Sequence, residues 1–579
     1  MSAHIVSKDL VAKVMLAGAG VAGVGWLMHL MPADTPGRRW WPWLLLAGVV
    51  VFVAPLMVWL IRRTGSAGQV RRWSGRSRRN DGVASAWTIL RVASWLAMRR
   101  KARVLRPSLA DRNFLERMVV STRAYASRIA RVGLLGVWSA VEDVTLRIGG
   151  PRTGKTGELA CRILDAPGAV IATSTRTDLI ELTAGLRSKA GPVEVFNPSG
   201  MGGLASTVIF DPLSGCDAPS TATARAADLL AGVSAPGNGG DRAFWSSQAR
   251  RVLAALMHAA ALGEASMRDV LAWIADPDEA AAEVQRLLRK SPEPSYESDA
   301  LQFLNTNINT RSSICATIMP ALGWLTDATA AAATEPAKDG SSFDVAALLE
   351  ERGTVFMLGA EDAQVAPLVT ALTGFIAREA RRIAADQPAG RLDPPLTLAL
   401  DEAALICPIP LDNWTADMGG RGVTIHIAVQ SRAQLRQRWG DTGAAAIMNN
   451  AATVLIYGGT RDSDDLAAYS TLAGERDEEV PSYDAEGKVT SIGHRRVPVL
   501  SPAQISQLPA KRVLIIRRGM PAAIGRVQMA WNRRDVRRHR RTEAKTTANT
   551  LQQQGLRLVK PPSPPRDGDG PDRSEGEVA

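Results

Sequence analysis

An α/β fold with a mostly parallel sheet is predicted for most of this 579-residue chain. Over residues 141–532, helix-like stretches alternate with short apolar runs that are predicted as strands, at 144–148, 169–173, 193–196, 207–210, 354–358, 396–400, 423–429 and 454–457. One stretch inside that range (about 242–333) is helix-like throughout, and two apolar segments stand near the N-terminus. Strands that alternate with helices pair in parallel, because each helix returns the chain to the same edge of the sheet. The sequence therefore predicts a parallel α/β body with an all-helical insertion, preceded by two transmembrane helices.

The first 64 residues are predicted to form a transmembrane hairpin. Segments 14–31 and 40–61 contain no Asp, Glu, Lys or Arg, and as helices they span about 27 and 33 Å, against a bilayer core of about 30 Å. Arginines follow the second segment densely, whereas the connector between the two has only Arg38 and Arg39. Since basic residues favour the cytoplasmic side, we expect a multi-pass plasma (inner) membrane protein with both termini and the body in the cytoplasm.

Residues 65–140 are predicted to be a basic, membrane-proximal connector. Residues 1–145 carry 22 Lys and Arg against 7 Asp and Glu, so the net charge of +12 belongs to this end of the chain. Contact with membrane lipid explains such a cluster as well as nucleic acid does. The four cysteines lack C-x-x-C spacing, which argues against a zinc site or a disulfide framework.

The most specific motif is a phosphate-binding loop between a strand and a helix. The sequence GGPRTGKT at 149–156 satisfies G-x-x-x-x-G-K-[ST] and follows the apolar run 144–148. Such a loop turns successive N–H groups toward phosphates at a helix N-terminus. We expect the lysine to reach the β- and γ-phosphates of ATP and the following threonine hydroxyl to hold Mg²⁺. The residues predicted to bind the nucleotide are Gly149, Gly150, Pro151, Arg152, Thr153, Gly154, Lys155, Thr156 and Gly157.

The rest of the nucleotide site is predicted at the ends of two later strands. The apolar run 396–400 ends in Asp401 and Glu402. We expect Asp401 to bind Mg²⁺, directly or through water, and Glu402 to polarise the attacking water. The run 423–429 ends in Gln430, which is either a sensor of the γ-phosphate or a plain polar strand end.

Three other features complete the reading of the chain. Arg421, just before the run 423–429, is either an arginine finger that reaches a neighbouring subunit's phosphates or an ordinary surface arginine. His426, inside that run, is predicted to be a packed core residue. Residues 533–579 are basic, then Gln-rich, then rich in Pro and Gly, and are predicted to form a disordered tail.

Taken together, these features resemble the conjugative type IV secretion coupling proteins, the TraG/VirD4-like family within the FtsK/HerA branch of P-loop motor ATPases. The resemblance covers nearly all of residues 10–530. It is carried by the membrane hairpin, the loop GGPRTGKT, the helical insertion and the segments 170–187, 193–200, 398–403, 420–435 and 445–459.

The resemblance implies a RecA-like core and a homo-hexameric ring at the inner face of the plasma membrane. Such a ring recruits a relaxase-bound single strand of DNA and feeds it to the type IV secretion channel with ATP and Mg²⁺. The family's catalytic roles carry over to Lys155, Glu402, Gln430 as sensor and Arg421 as trans-acting finger, and its metal site to Thr156 and Asp401.

Two alternatives remain open at the level of sequence. One is an FtsK-like double-stranded DNA translocase, although that type usually has a DNA-reading winged-helix tail that is not visible here. The other is a membrane adaptor that binds nucleotide without translocation. Glu402 separates the adaptor from the motors, because a protein that only binds nucleotide has no need of a carboxylate that polarises water.

Overall fold

The computed structural model describes residues 8–32, 35–64, 82–233, 240–335, 343–360, 364–483 and 489–553. The chain divides into two compact units. One comprises residues 1–85 and 473–500, and the other comprises residues 86–472 and 501–579.

The strands of both units are numbered along the chain: β1 (Ala126–Val132), β2 (Leu135–Ala140), β3 (Thr145–Ile148), β4 (Val170–Ser174), β5 (Val193–Phe196), β6 (Thr354–Leu358), β7 (Leu396–Leu400), β8 (Val423–Val429), β9 (Thr453–Tyr457), β10 (Glu475–Tyr483), β11 (Val489–Pro498), β12 (Arg512–Arg517) and β13 (Met520–Arg526). The first fourteen helices are α1 (Lys8–His29), α2 (Trp41–Thr64), α3 (Ala86–Val92), α4 (Trp95–Leu105), α5 (Phe114–Val119), α6 (Lys155–Asp165), α7 (Asp178–Arg187), α8 (Pro219–Ala231), α9 (Gly240–Leu262), α10 (Met267–Ala275), α11 (Pro277–Leu288), α12 (Ser295–Leu304), α13 (Ile308–Ile318) and α14 (Ala328–Ala332). The later helices are α15 (Val345–Glu350), α16 (Ala366–Ala385), α17 (Ala403–Ile406), α18 (Leu411–Asp417), α19 (Arg432–Asn450), α20 (Ser463–Ala473), α21 (Pro502–Ser506) and α22 (Arg534–Gln553).

In the smaller unit, α1 and α2 pack against each other through glycines. A Cβ added to Gly48 would lie 2.3 Å from the backbone nitrogen of Ala22, and one added to Gly18 would lie 2.7 Å from that of Phe52, so the two backbones approach closely. By length and composition, residues 38–57 form the one described helix able to cross a membrane, and residues 14–29 form a shorter apolar stretch. The predicted helix pair is present, and its second helix fits a membrane span best.

Strands β10 and β11 form an antiparallel ribbon that the sequence analysis missed. Acidic residues of β10 face basic residues of β11, with Asp477 opposite Arg496 and Glu478 opposite Arg495. Opposite charges across a ribbon stabilise it, but such strands lack the alternating apolar pattern by which strands are recognised.

The larger unit is built on an eleven-stranded sheet in the order β2-β1-β13-β12-β9-β3-β8-β7-β4-β6-β5. The seven strands from β9 to β5 pair in parallel, and the four at the other edge pair antiparallel. The predicted mostly parallel α/β fold is confirmed. Between β5 and β6 the described residues form helices α8 to α15 and no strand, in keeping with the predicted helical insertion.

Four strands of the large sheet, β1, β2, β12 and β13, were not predicted from the sequence. β1 and β2 lie within the predicted connector, where arginines interrupt the apolar pattern. Residues 207–210, predicted as a strand, run beside β5 without joining the sheet, because the Val195 N–H bonds to the Thr207 hydroxyl at 2.8 Å. Disorder was predicted from residue 533, whereas residues 534–553 form α22. Val536 is buried in a hydrophobic cluster with residues of α6 and α7, and Arg533 pairs with Asp165 at 2.7 Å. Residues 554–579 of the predicted tail lie outside the described residues.

Candidate nucleotide-binding site

The predicted site residues lie together at the carboxyl ends of the parallel strands. Ile148, at the end of β3, lies opposite Val429 of β8, and Leu400 of β7 lies opposite Ile427 of β8. The chain segments that follow these three strands therefore leave the sheet side by side. They are the phosphate loop, the Asp401–Glu402 pair and Gln430.

The loop at 149–154 has the backbone that its glycines permit. Gly154 has φ +101°, a conformation that side chains of L-residues rarely adopt, and it immediately precedes α6. A Cβ on Gly149 would lie 2.6 Å from Cβ of Tyr457, so that position also needs glycine. The Lys155 ammonium lies within the loop, donating to the carbonyl of Gly149 and, at 3.0 Å, to that of Gly150. Burial lowers the pKa of Lys155, against the opposing effect of Glu402 and Asp401.

A direct hydrogen bond joins the loop to the end of β7. The Thr156 hydroxyl donates to Oδ2 of Asp401 at 2.6 Å. Asp401 is buried, and its Oδ1 has no hydrogen-bond partner among the described residues. A hydroxyl beside a buried carboxylate with an unused oxygen is the oxygen donor set that Mg²⁺ takes, so these two residues fit the metal. Burial raises the pKa of Asp401 to about 6, with a smaller contribution from the charge of Glu402.

The ends of β7 and β8 are linked by a second hydrogen bond. Gln430 Nε2 donates to Oε2 of Glu402 at 3.3 Å, and the Gln430 N–H donates to the side chain of Gln434 at 2.8 Å. Glu402 has φ +48°, in the left-handed region that a side chain seldom occupies. Strained backbone of this kind is often found where a side chain is aimed at a site.

Arg421 is the one predicted site residue that the fold keeps apart. It precedes β8, whereas Gln430 follows it, and a seven-residue strand spans about 20 Å. Arg421 therefore lies at the amino end of β8, whereas the loop of its own chain lies at the carboxyl ends of the strands. His426 is buried, as predicted, and burial, with nearby Arg147 and Arg162, lowers its pKa well below the ordinary value.

Two structural supports of the loop were missed by the sequence analysis. Beneath α6, the buried Glu158 pairs with Arg147 of β3 and, at 3.2 Å, with Arg162, which ties the helix to the strand before the loop. On the other side, the ring of Trp531 lies so close that a Cβ on Gly157 would be 2.3 Å from it. Glu158 and Arg162 are separated by one helical turn, a signal too common to single out. Nothing in the local pattern links residue 531 to residue 157.

Residues 121–554 match the family model described as type IV secretory system conjugative DNA transfer. The chain belongs to this family. A search of curated proteins by sequence finds no match.

Among solved structures, the fold is similar to that of the conjugative coupling protein TrwB. The unbound TrwBdeltaN70 form has 18% identity and a TM-score of 0.52, covering 72% of this chain and 92% of that one. The complex of TrwB with the GTP analogue GDPNP has 18% identity and a TM-score of 0.52, covering 72% and 93%. The complex with ADP and Mg²⁺ has 18% identity and a TM-score of 0.51, covering 72% and 92%. At this identity the likeness shows the fold alone.

Proposed function

We propose that this chain is a membrane-anchored coupling protein that hydrolyses ATP, recruits relaxase-bound single-stranded DNA and drives it into a type IV secretion channel. The observation that carries the proposal is the Thr156–Asp401 hydrogen bond of 2.6 Å, which unites the phosphate loop and the carboxylates after β7 in one site. Membership of the conjugative DNA transfer family provides the secretion context, and TrwB, which shares the fold, is a coupling protein that binds ADP and Mg²⁺.

In this proposal each residue of the site has a distinct part. The loop N–H groups and Lys155 hold the phosphates, and Thr156 and Asp401 hold Mg²⁺, which when bound neutralises phosphate charge. Glu402 orients and polarises the attacking water from the end of β7. Gln430, hydrogen-bonded to Glu402 at 3.3 Å, transmits changes at that carboxylate into β8.

The position of Arg421 supports a ring of several copies. Arg421 lies at the amino end of β8, and the loop of its own chain lies at the carboxyl ends of the strands. It can therefore contact a bound nucleotide only if that nucleotide is held by a second copy of the chain. We therefore propose a homo-hexamer in which Arg421 reaches the neighbouring subunit's phosphates, as an arginine finger supplied in trans. Helices α1 and α2 would hold such a ring in the plasma membrane, with the body in the cytoplasm.

The test is the ATPase activity of the full-length protein in detergent, measured with single-stranded DNA, with double-stranded DNA and without DNA. We expect turnover that single-stranded DNA stimulates most, and no turnover in Lys155→Ala. Lys189→Ala, which removes an exposed lysine from the same unit, is the matched control. Stimulation by double-stranded DNA alone would favour the FtsK-like translocase, and nucleotide binding without turnover would favour the adaptor.

A further inference from the structure

A cleft lined by basic side chains lies at the antiparallel edge of the large sheet. Two adjoining cavities of about 440 and 590 Å³ share four lining residues, Arg128, Arg131, Gln528 and Asn532. Together the two cavities are lined by nine Lys and Arg and by a single carboxylate, Asp535. That carboxylate is bound by Arg533 at 2.6 Å, so it does not offset the others. We call this feature the arginine cleft.

Three arginines of the cleft form a row across neighbouring strands. Arg131 of β1 lies opposite Arg526 of β13, and Arg526 lies opposite Arg512 of β12. Residues paired in this way point to the same face, about 5 Å apart from strand to strand. None of the three forms an ion pair with a carboxylate among the described residues.

Such a row opposes folding, because like charges directly opposite each other on a sheet repel. The crowding is also felt at Arg128, whose pKa is lowered by burial and then by the charges of Arg162, Arg123 and Arg131, against the opposing effect of Asp165. Unlike the paired charges of the β10–β11 ribbon, these arginines lack a partner that the chain itself supplies. An anion bound in the cleft would remove this cost.

The cleft adjoins the phosphate loop through one short segment, Gln528–Asn532. Met529 lines the first cavity, and a Cβ on Gly154 would lie 2.9 Å from its Cε. The ring of Trp531, 40% exposed, packs against Gly157 in the first turn of α6. A ligand that moves this segment would therefore act directly on the loop.

We propose that the arginine cleft binds the phosphate backbone of single-stranded DNA, so that an occupied cleft is sensed at the nucleotide site. Cations in a row suit the closely spaced charges of one flexible strand. The side-chain N–H groups of Gln528 and Asn532 can donate to phosphate and sugar oxygens, contacts that carry no sequence information. An acidic protein would have to insert its carboxylates into a concave surface. A single nucleic acid strand is narrow and enters such a surface more readily. The inference rests on the proposed function, since it locates a contact for the strand that the motor moves.

The experiment compares Arg131→Gln/Arg526→Gln with Arg381→Gln/Arg382→Gln in the full-length protein in detergent. The control pair loses the same charge from exposed positions on α16, with 51% and 66% of the side chains exposed. Binding of a fluorescent oligothymidylate of about 30 nucleotides is followed by anisotropy across a salt titration. We expect the cleft variant to bind roughly tenfold more weakly at low salt, and the slope of log Kd against log salt to fall by about 1.4, since each lost phosphate contact removes about 0.7.

Two further readouts separate this role from a structural one. ATP binding by the cleft variant should be unchanged, and its melting temperature should be equal or higher, because a repulsive pair has been removed. If the variant fails to fold, photo-crosslinking of a thio-substituted oligothymidylate to the wild-type protein decides the question, and crosslinks on β1 or β13 are then expected.

The inference is overturned if the cleft and control variants share the same Kd and slope, or if the crosslinks lie elsewhere. It is also overturned if the cleft variant loses ATP binding while it still binds the oligonucleotide, because the cleft would then be a mononucleotide site. Loss of binding to vesicles of anionic lipid alone would overturn it as well, because the cleft would then be a lipid site. A wild-type protein that turns over ATP but binds no oligonucleotide would instead refute the DNA part of the proposed function.

Discussion

Replacing Asp401 by asparagine is expected to stabilise the metal-free protein while abolishing its use of Mg²⁺. The folded protein raises the pKa of this carboxyl from an ordinary 3.8 to about 6, mainly because burial penalises the charged form. Above about pH 6 the wild-type protein carries that buried charge and is destabilised by it. Asparagine has the same shape, keeps an oxygen that can accept the Thr156 hydrogen bond, and carries no charge.

The size of the effect follows from the shift in pKa. A rise of about two units corresponds to roughly 3 kcal/mol of unfolding free energy that the wild-type protein loses as pH rises through about 6, at 1.36 kcal/mol per unit. Because the folded state raises the pKa of Asp401, the folded protein binds this proton more tightly than the unfolded chain does. The resulting stabilisation is complete below the unfolded pKa of 3.8 and is lost above the folded pKa of about 6. The advantage of Asp401→Asn should therefore be full at about pH 8 and shrink toward pH 5 and below.

The assay is thermal unfolding in EDTA, without nucleotide, at about pH 8 and about pH 5. Asp401→Asn should melt above the wild-type protein at the higher pH, with a smaller difference at the lower pH. Asp441→Asn, which removes an exposed carboxylate from α19, serves as the control and should show no such pH dependence. When Mg²⁺ and ATP are added, the wild-type protein should gain stability and Asp401→Asn should not. A variant that melts below the wild-type protein at pH 8 would refute the reasoning.

Three other substitutions test the remaining parts of the site. Glu402→Gln should keep ATP binding and slow hydrolysis by orders of magnitude, measured by equilibrium binding and steady-state turnover; unchanged turnover would remove Glu402 from its proposed role. Subunits with Arg421→Ala mixed with Lys155→Ala subunits should recover part of the ATPase activity, because some interfaces then hold both intact groups; no recovery in rings shown to be mixed would count against a finger in trans. Gly157→Ala should weaken ATP binding and lower the melting temperature, because the new Cβ would lie 2.3 Å from the Trp531 ring; wild-type values of both would show that the ring gives way freely.

Much of the fold was predictable from sequence because the parallel strands are short, buried and apolar. Each of β3, β4, β5, β6, β7, β8 and β9 was predicted to within about a residue at either end. Most of the strands that were missed contain charge: β1, β12 and β13 carry the arginines of the cleft, and acidic residues of β10 lie opposite basic residues of β11. β2 has no charged residue but lies in the arginine-rich segment that was predicted to be a connector. β1 pairs with β13 from the far end of the chain, and the β10–β11 ribbon places opposite charges across from each other. Apolar periodicity reveals neither feature.

The sequence by itself determined which residues are equipped for nucleotide chemistry. The glycine-rich loop, the lysine and threonine after it and the acidic pair after an apolar run follow from local constraints on backbone conformation and from strand ends, which a linear pattern records. Only the tertiary structure decided how they are combined. It placed Asp401 against Thr156 across 245 residues, separated Arg421 from the loop of its own chain and aligned arginines from β1, β12 and β13 in one row. Those relations depend on strand order and register, which arise from pairing between distant segments and have no local signature.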